Sequence, residues 1–414
     1  MSCLLDLGAR AQAARPALAA ATTDDKNKAL RAIADALRTH VDAILAANEK
    51  DMKAAGEKGL SGPMQARLKL TPDKIEGIAK AVEAVVDLPD PVGVVHAGST
   101  RPNGLRIQKV AVPMGVVAMI FESRPNVTVD AAILCLKSGN ACILRGGSEA
   151  IHSNIALAGV MREAVASCGL PADSIQFIED TARETATELM RLTDYVDLLI
   201  PRGSAGLIQS VVKNATVPVI ETGAGVCHVY VDRDADLDMA VEIAHTGKIS
   251  YPAACNSVET LLVHVDVAGR FLPRVAAKMH ESGVVLYGCD RVRAILPDVD
   301  KVTGESFFTE YSDLSLNMKI VDSSAEAMTH IAHYGTHHSD TIVTDSYPAA
   351  CLFTATVDSA VVYVNASPRF TDGGEFGMGA EIGISTQKLH VRGPMGLSEL
   401  TTTKYIVQGS GQVR

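Results

Sequence analysis

The sequence predicts an α/β protein in which two parallel-sheet units follow one another. Three observations carry this. From Val116 onward, short apolar runs alternate with longer stretches of helical period. Ala, Val, Leu and Ile dominate, Trp is absent and aromatic residues make up 4% of the chain, a bias that suits buried parallel strands flanked by helices. Finally, 414 residues exceed what one core accommodates, so two or three domains are expected.

The elements follow in order. Up to Asp90 the chain is Ala-rich with apolar residues at helical spacing. Asp24 and Asp25 open an amphipathic helix over 29–55, ended by Gly56 and Gly59. Thr71 as N-cap and Pro72 in the first turn start another helix. Runs at 92–96 and 105–112 flank a turn-rich loop, 98–104, and predict a β-hairpin. Strand then pairs with helix: 116–121 with 128–138, 141–144 with 148–168, 175–178 with 181–191, and 196–200 with 204–214. A strand at 217–221 closes this part. Such alternation means a parallel sheet with helices on both faces. The second series has strands at 228–231, 260–263, 284–287, 318–321, 341–344 and 361–364, with helices at 237–249, 268–282 and 325–333. The tail after Lys388 reads as short strand and turn. No low-complexity tract or internal repeat stands out. Ligands of such folds bind outside the carboxyl ends of the strands and between domains.

Composition narrows the function. The net charge is −10 and no basic stripe appears, which argues against a nucleic-acid partner. No apolar run reaches membrane-spanning length. The opening residues, Met1-Ser-Cys-Leu-Leu-Asp-Leu-Gly8, lack the basic start of a secretory signal, and the eight Cys have no paired spacing. A cytoplasmic, reduced protein with free thiols is expected.

Several segments carry chemistry. Tyr251-Pro-Ala-Ala-Cys-Asn-Ser257 runs from a tight polar loop into an apolar strand. Pro limits the approach and the two Ala leave space beside the sulfur of Cys255, as a nucleophilic thiol needs. A small buried cysteine is the alternative. Phe121-Glu-Ser-Arg-Pro-Asn126 joins a strand to a helix. There Asn126 either aims an amide N–H at an oxyanion or caps the helix. Leu144-Arg-Gly-Gly-Ser-Glu149 ends the next strand, where Arg145 beside glycines suits a ribose phosphate or an ordinary turn. Ile200-Pro-Arg-Gly-Ser-Ala-Gly206 holds G-x-x-G through Gly203 and Ser204, a weak dinucleotide signal. In Glu221-Thr-Gly-Ala-Gly225, Gly223 and Gly225 permit close backbone approach, plausibly by a nicotinamide, and Glu221 is a general base or a carboxylate satisfied by amides. His333, His337 and His338 lack a Cys or carboxylate partner at a recognisable interval, so no metal site is expected. The glycine-rich stretch Thr371–Glu381, with three acids, is long enough to be functional.

In this order the segments resemble the aldehyde dehydrogenase superfamily over essentially the whole chain. Carrying the resemblance are Glu122-Ser-Arg-Pro-Asn-Val-Thr128, Lys137-Ser-Gly-Asn140, Ile200-Pro-Arg-Gly203, Cys227-His-Val-Tyr-Val-Asp232, Cys255-Asn256, Val364-Asn-Ala-Ser367, Arg369-Phe-Thr-Asp-Gly-Gly374 and Arg392-Gly-Pro-Met-Gly396. The resemblance implies an aldehyde-dehydrogenase-like fold: two Rossmann-like parallel-sheet domains plus a small β oligomerisation element. Residues 1–94 and 112–223 would bind NADPH, 224–387 would carry the thiol, and 95–111 with 388–414 would form the oligomerisation hairpin and tail. It also implies roles. Cys255 would be the catalytic thiol, Asn126 the oxyanion-hole amide and Glu221 the residue that serves oxidising members as hydrolytic base. Glu310 would hold the nicotinamide ribose. Arg145 would lie at the adenosine ribose with Ser148 where NAD-preferring members carry Glu, which favours NADPH. Arg124 and Arg369 would take substrate carboxylate or phosphate, because Arg offers bidentate geometry. The chain carries Tyr251 where many bacterial members have Arg. The implied activity is NADPH-dependent reduction of L-glutamyl 5-phosphate to L-glutamate 5-semialdehyde and phosphate through a cysteine thioester, in proline synthesis from glutamate. A homo-oligomer is expected, with glutamate 5-kinase as a possible channelling partner.

Overall fold

A computed structural model describes residues 3–414. In chain order its strands are β1 (Val95–Thr100), β2 (Arg106–Pro113), β3 (Val116–Phe121), β4 (Ala141–Arg145), β5 (Ile175–Phe177), β6 (Leu198–Arg202), β7 (Cys227–Val231), β8 (Val258–His264), β9 (Val285–Gly288), β10 (Asp300–Lys301), β11 (Ser315–Val321), β12 (Ser339–Val343), β13 (Val361–Val364), β14 (Ile384–Ser385), β15 (Gly393–Pro394) and β16 (Thr401–Gln408). Two compact units divide the chain. The first holds the residues up to Thr222 together with Gly377–Gly383 and Met395–Arg414. The second holds Gly223–Phe376 and Ile384–Pro394.

In the first unit β5-β4-β3-β6 form a parallel sheet. The central strand β3 is buried along its whole length, as its unbroken Val-Val-Ala-Met-Ile-Phe run requires of a strand covered on both faces. Helices Asn126–Lys137 and Ile151–Ser167 follow β3 and β4. A separate antiparallel sheet, β1-β2-β16, joins the expected hairpin to the C-terminal segment. The hairpin turn is tighter than 98–104: Arg101 donates its N–H to the Leu105 carbonyl, and Gly104 takes a left-handed φ of 87°.

Two expectations need correction. The helix over 29–55 is two helices, Thr23–Thr39 and Val41–Glu57, broken at His40. The first starts from a capping box in which Thr22 and Asp25 satisfy each other's backbone. The strand at 217–221 reduces to one bridge, Leu199 with Val219. Pro218 has no N–H to donate, so a ladder cannot run through it.

The second unit is built on a seven-stranded parallel sheet, β10-β9-β11-β8-β7-β12-β13. Strand β8 lies at its centre and is buried throughout. On one face Val229, Leu261, Val263 and Met318 pack with Phe271, Leu272 and Met279 of helix Val265–Glu281. On the other, Tyr230, Leu262 and Ile342 pack with Phe353. Phe353 lies on helix Tyr347–Thr356, one of two helices, with Asp290–Ile295, that the apolar periodicity does not announce.

Candidate active site

The thiol site is built from the amino ends of the second unit's strands. Ala254 donates its N–H to the Tyr251 carbonyl and Ser257 to the Ala254 carbonyl, so Cys255 and Asn256 are the central residues of a turn. That turn feeds directly into β8. The Cys255 residue is half-buried. Its carbonyl accepts the Cys227 thiol at 3.3 Å. Asn256 is anchored by its side chain, whose amide donates to the carbonyls of Thr371 at 2.8 Å and Arg369 at 3.2 Å.

One repeat escapes a periodicity reading. Ser-Tyr-Pro-Ala-Ala-Cys occurs at 250–255 and again at 346–351. The second copy opens helix Tyr347–Thr356, with Ser346 as N-cap and Pro348 in the first turn, and its Cys351 is exposed. Pro and two Ala therefore do not by themselves make a nucleophile loop. The continuation decides: Asn-Ser-Val-Glu enters a strand, whereas Leu-Phe-Thr-Ala extends a helix.

Gly225 and Gly223 also have a use that sequence reasoning missed. A Cβ on Gly225 would collide with the backbone carbonyl of Cys255, and one on Gly223 would meet the Thr386 side chain. Their close approaches are to the protein itself. The Gly225 N–H supports the Glu310 carboxylate, whose pKa burial nonetheless pushes up. Helix Leu237–Ile249 and β8 share a fully buried contact, Lys248 Nζ to Glu259 Oε2 at 2.8 Å. Burial outweighs that partner and pushes Glu259 up to about 8. Arg369 sits beside Asn256. Its guanidinium donates to Asn256 Oδ1 and, through Nε, to Ser250 Oγ at 3.1 Å, and it lies 5.8 Å from the Tyr251 ring centroid. Tyr251 thus provides an aromatic face for Arg369. His338 is buried, whereas His337 is exposed and faces the Asp358 carbonyl at 2.7 Å through Nδ1. Among the described residues no three His, Cys, Asp or Glu side chains cluster to hold a metal.

In the first unit the candidate residues lie at carboxyl ends. Asn126 opens the helix after β3 but does not cap it: Pro125 holds the cap position, without a side-chain bond. The Asn126 amide instead donates to Asp130 Oδ2 at 2.9 Å, one helical turn on. Burial pushes the Asp130 carboxyl up to about 6, with Asn126 and Arg202 pulling it down. The (i, i+4) spacing was the available signal for this pair. Arg124 is half-buried in the same loop, and Glu221 is half-buried just before the end of the unit's first segment.

Arg145 ends β4 and donates through Nη2 to the carbonyls of Thr181 and Ala182, at 3.0 and 2.9 Å. Its buried Nε–H meets no acceptor among the described residues. Ser148 is exposed at the start of the turn Ser148–Ala150. Ser204 caps helix Ala205–Asn214, and its N–H donates to Glu122 Oε2 at 2.8 Å. Beside Gly203, a carboxylate of the chain itself therefore stands as the anion at a helix N-terminus. Glu149 ties the two loops together by accepting the Ser123 N–H at 2.6 Å, and Ser123 takes a left-handed φ of 50°.

In the first unit the candidate residues follow the carboxyl ends of β3, β4 and β6, whereas in the second Cys227, Cys255, Glu310 and His338 lie at the amino ends of β7, β8, β11 and β12. No helix among the described residues is long and apolar enough to cross a membrane.

Comparison with known proteins gives the family. Residues 6–285 match the model of the aldehyde dehydrogenase family, whose members use nicotinamide cofactors. The gamma-glutamyl phosphate reductase of Moorella thermoacetica is 57% identical over 98% of this chain and 97% of its own length. That of Clostridium perfringens is 54% identical over 99% of both. The crystal structure of gamma-glutamyl phosphate reductase from Thermotoga maritima superposes with a TM-score of 0.98 at 47% identity, covering 99% of each chain. The chain therefore belongs to the aldehyde dehydrogenase family and, within it, to the gamma-glutamyl phosphate reductases, oxidoreductases also known as glutamate-5-semialdehyde dehydrogenases.

Proposed function

We propose that the protein converts L-glutamyl 5-phosphate to L-glutamate 5-semialdehyde and phosphate with NADPH, in proline synthesis, through a thioester on Cys255. The observation that carries the chemistry is the Cys255 turn, held from both sides at the head of the central strand. The thiolate attacks the acyl carbon, the C–O bond to phosphate breaks, and a thioester forms. Asn126 donates an amide N–H to the oxyanion. Arg369, beside Asn256, and Arg124 hold the anionic ends of the substrate. When bound, NADPH supplies the hydride that reduces the thioester carbon. The C–S bond then breaks, which frees the aldehyde and returns the thiolate.

Arg145 and Ser148 would hold the cofactor's adenosine ribose, and Gly203 and Ser204 would take a phosphate by displacing the Glu122 carboxylate from the Ser204 N–H, with Gly223 and Glu310 toward its nicotinamide end. Ser148 places no carboxylate against a 2′-phosphate, which supports NADPH. The reductive route needs no hydrolytic base, so Glu221 is left with a positioning part, and water in the site would waste the thioester. The substrate is a labile acyl phosphate, which supports a cytoplasmic pairing with glutamate 5-kinase. A homo-oligomer is the proposed working state.

The reverse reaction tests this reading. Glutamate 5-semialdehyde should reduce NADP only when phosphate is present, faster than NAD, and Cys255→Ala should abolish the rate while leaving cofactor binding near normal. Phosphate-independent formation of glutamate would instead mark an oxidising aldehyde dehydrogenase with Glu221 as base. Activity retained in Cys255→Ala would remove the nucleophile.

A further inference from the structure

Beneath Cys255 the second unit holds a closed ring of hydrogen bonds that the reaction scheme does not use. Cys227 begins β7 and donates its S–H to the Cys255 carbonyl. The same sulfur is 3.7 Å from His338 Nδ1. That nitrogen is 2.8 Å from Ser339 Oγ, which is 2.7 Å from Thr371 Oγ1. The Thr371 carbonyl accepts the Asn256 amide at 2.8 Å and so returns to the residue after Cys255. Tyr363 joins from outside, its hydroxyl 2.8 Å from Thr371 Oγ1. Cys227, His338, Ser339 and Thr371 are completely buried.

Cys227 commits its only proton to the Cys255 carbonyl, which leaves its sulfur an acceptor toward His338 Nδ1. The imidazole tautomer sets which of His338 Nδ1 and Ser339 Oγ donates to the other, and His338 Nε2 meets no partner among the described residues. Burial raises the Cys227 thiol well above its ordinary range and lowers His338 to about 4, so both are neutral at pH 7. From outside the ring, the buried Asp340 acts on both Cys227 and His338, and Glu259 acts on Cys227; Lys248 and Glu310 are not members of it.

We propose that Cys227 and His338 are positioning residues for Cys255: an uncharged ring that fixes the peptide carrying the nucleophile without setting a competing charge beside its sulfur. The inference rests on the reading of Cys255 as nucleophile. The two-turn loop precedes the β8 ladder, and Cys227 ties its central peptide to the start of β7. The absence of a Cβ at Gly225 is what lets the β7 entrance come this close. Small displacements matter, because misplacing a reacting group by about 1 Å can cost about 10² in rate.

The test compares Cys227→Ala, Cys227→Ser and His338→Leu in the full-length protein. Turnover is measured in the reverse reaction, and alkylation of Cys255 by iodoacetamide is followed by mass spectrometry across pH. Cys351 serves as the internal reference, since it follows the same five residues, Ser-Tyr-Pro-Ala-Ala, and is exposed. Cys227→Ala should lower kcat by about tenfold with KM for the aldehyde unchanged. Cys255 alkylation should slow by a similar factor at every pH, its midpoint unmoved because the ring is uncharged. Cys351 should react as before, and Cys227→Ser should restore both rates by donating to the same carbonyl. Parental kcat in Cys227→Ala overturns the proposal, and so does a shifted alkylation midpoint that Ser does not correct. If Cys227→Ala fails to fold, Ser339→Ala interrupts the ring from its far side and must show the same slowing. If Cys255→Ala is inactive while Cys227→Ala matches the parent, only the ring falls. If Cys255→Ala is active, the nucleophile reading falls with it.

Discussion

Asn126 shows how a single amide can be assigned by where its hydrogen bond goes. A capping Asn accepts a backbone N–H at the helix start, and losing it costs about 1 kcal/mol with little effect on rate. Here Asn126 lies inside the first turn and makes no such bond. One amide proton goes to Asp130, and the amide carries a second. Asn126→Ala should therefore lower turnover by about 10²–10³, with some loss of melting temperature because the half-buried Asp130 carboxyl loses its donor. A variant that melts several degrees lower yet turns over at the parental rate would return Asn126 to a structural role. Cys255 illustrates how far residue-scale reading goes. The polar loop entering an apolar strand was legible in the sequence. The anchors on either side were not, because Cys227, His338 and Thr371 come from segments 28, 83 and 116 positions away (255 − 227, 338 − 255, 371 − 255). The second Ser-Tyr-Pro-Ala-Ala-Cys, folded as a helix start, shows that the local hexapeptide carried less of the signal than its surroundings.

At the scale of elements, the seat of the proposed nucleophile depends on how helix Leu237–Ile249 is joined to β8. The join includes Lys248 and Glu259, each completely buried. Burial raises Glu259 from an ordinary 4.5 to about 8, even with Lys248 at hydrogen-bond distance. The sign for stability follows from linkage. A group whose folded pKa lies above its unfolded value contributes stability that is fully present below the unfolded pKa. That contribution is lost as pH rises through the folded pKa, here from about 4.5 to about 8. Glu259→Gln should flatten the fall in urea midpoint between pH 5 and pH 8, and equal slopes in parent and variant would contradict the buried-carboxyl account. Periodicity predicted this helix with the bounds it has, 237–249, and the strand 361–364 likewise. Both have turn signals or clear apolar edges. The break at His40 has neither Gly nor Pro to mark it, and helix Tyr347–Thr356 hides behind a Pro that reads as loop although it sits in the first turn. Which edge of a parallel sheet carries the chemistry is equally invisible to periodicity, since the same strand-helix rhythm serves either edge.

At the scale of the whole molecule, the sheet β1-β2-β16 bears on the proposed homo-oligomer. It pairs residues 95–113 with the C-terminal strand, and β16 is an edge strand. Seven of its eight residues are exposed, among them Tyr405 at 67% and Val407 at 53%. A long exposed edge with aromatic and β-branched side chains is a template for pairing with another chain, and folded proteins normally cover or charge it. Here Lys404 is the only charged residue along the strand. The net charge of −10 opposes non-specific association, so a contact at this edge must gain its stability from apolar burial and main-chain pairing. A stable interface needs about 1,000 Å² or more of buried surface, beyond what one short strand supplies, so the neighbouring hairpin, where Val94 and Val95 are also exposed, must contribute. Two predictions separate from this. Tyr405→Glu combined with Val407→Glu should convert the proposed homo-oligomer to a smaller species in analytical ultracentrifugation. Because the sheet is distinct from β5-β4-β3-β6, the double variant should keep its secondary structure by circular dichroism. A parent that sediments as a monomer would remove the oligomer itself, and a double variant of unchanged size would move the interface away from β16.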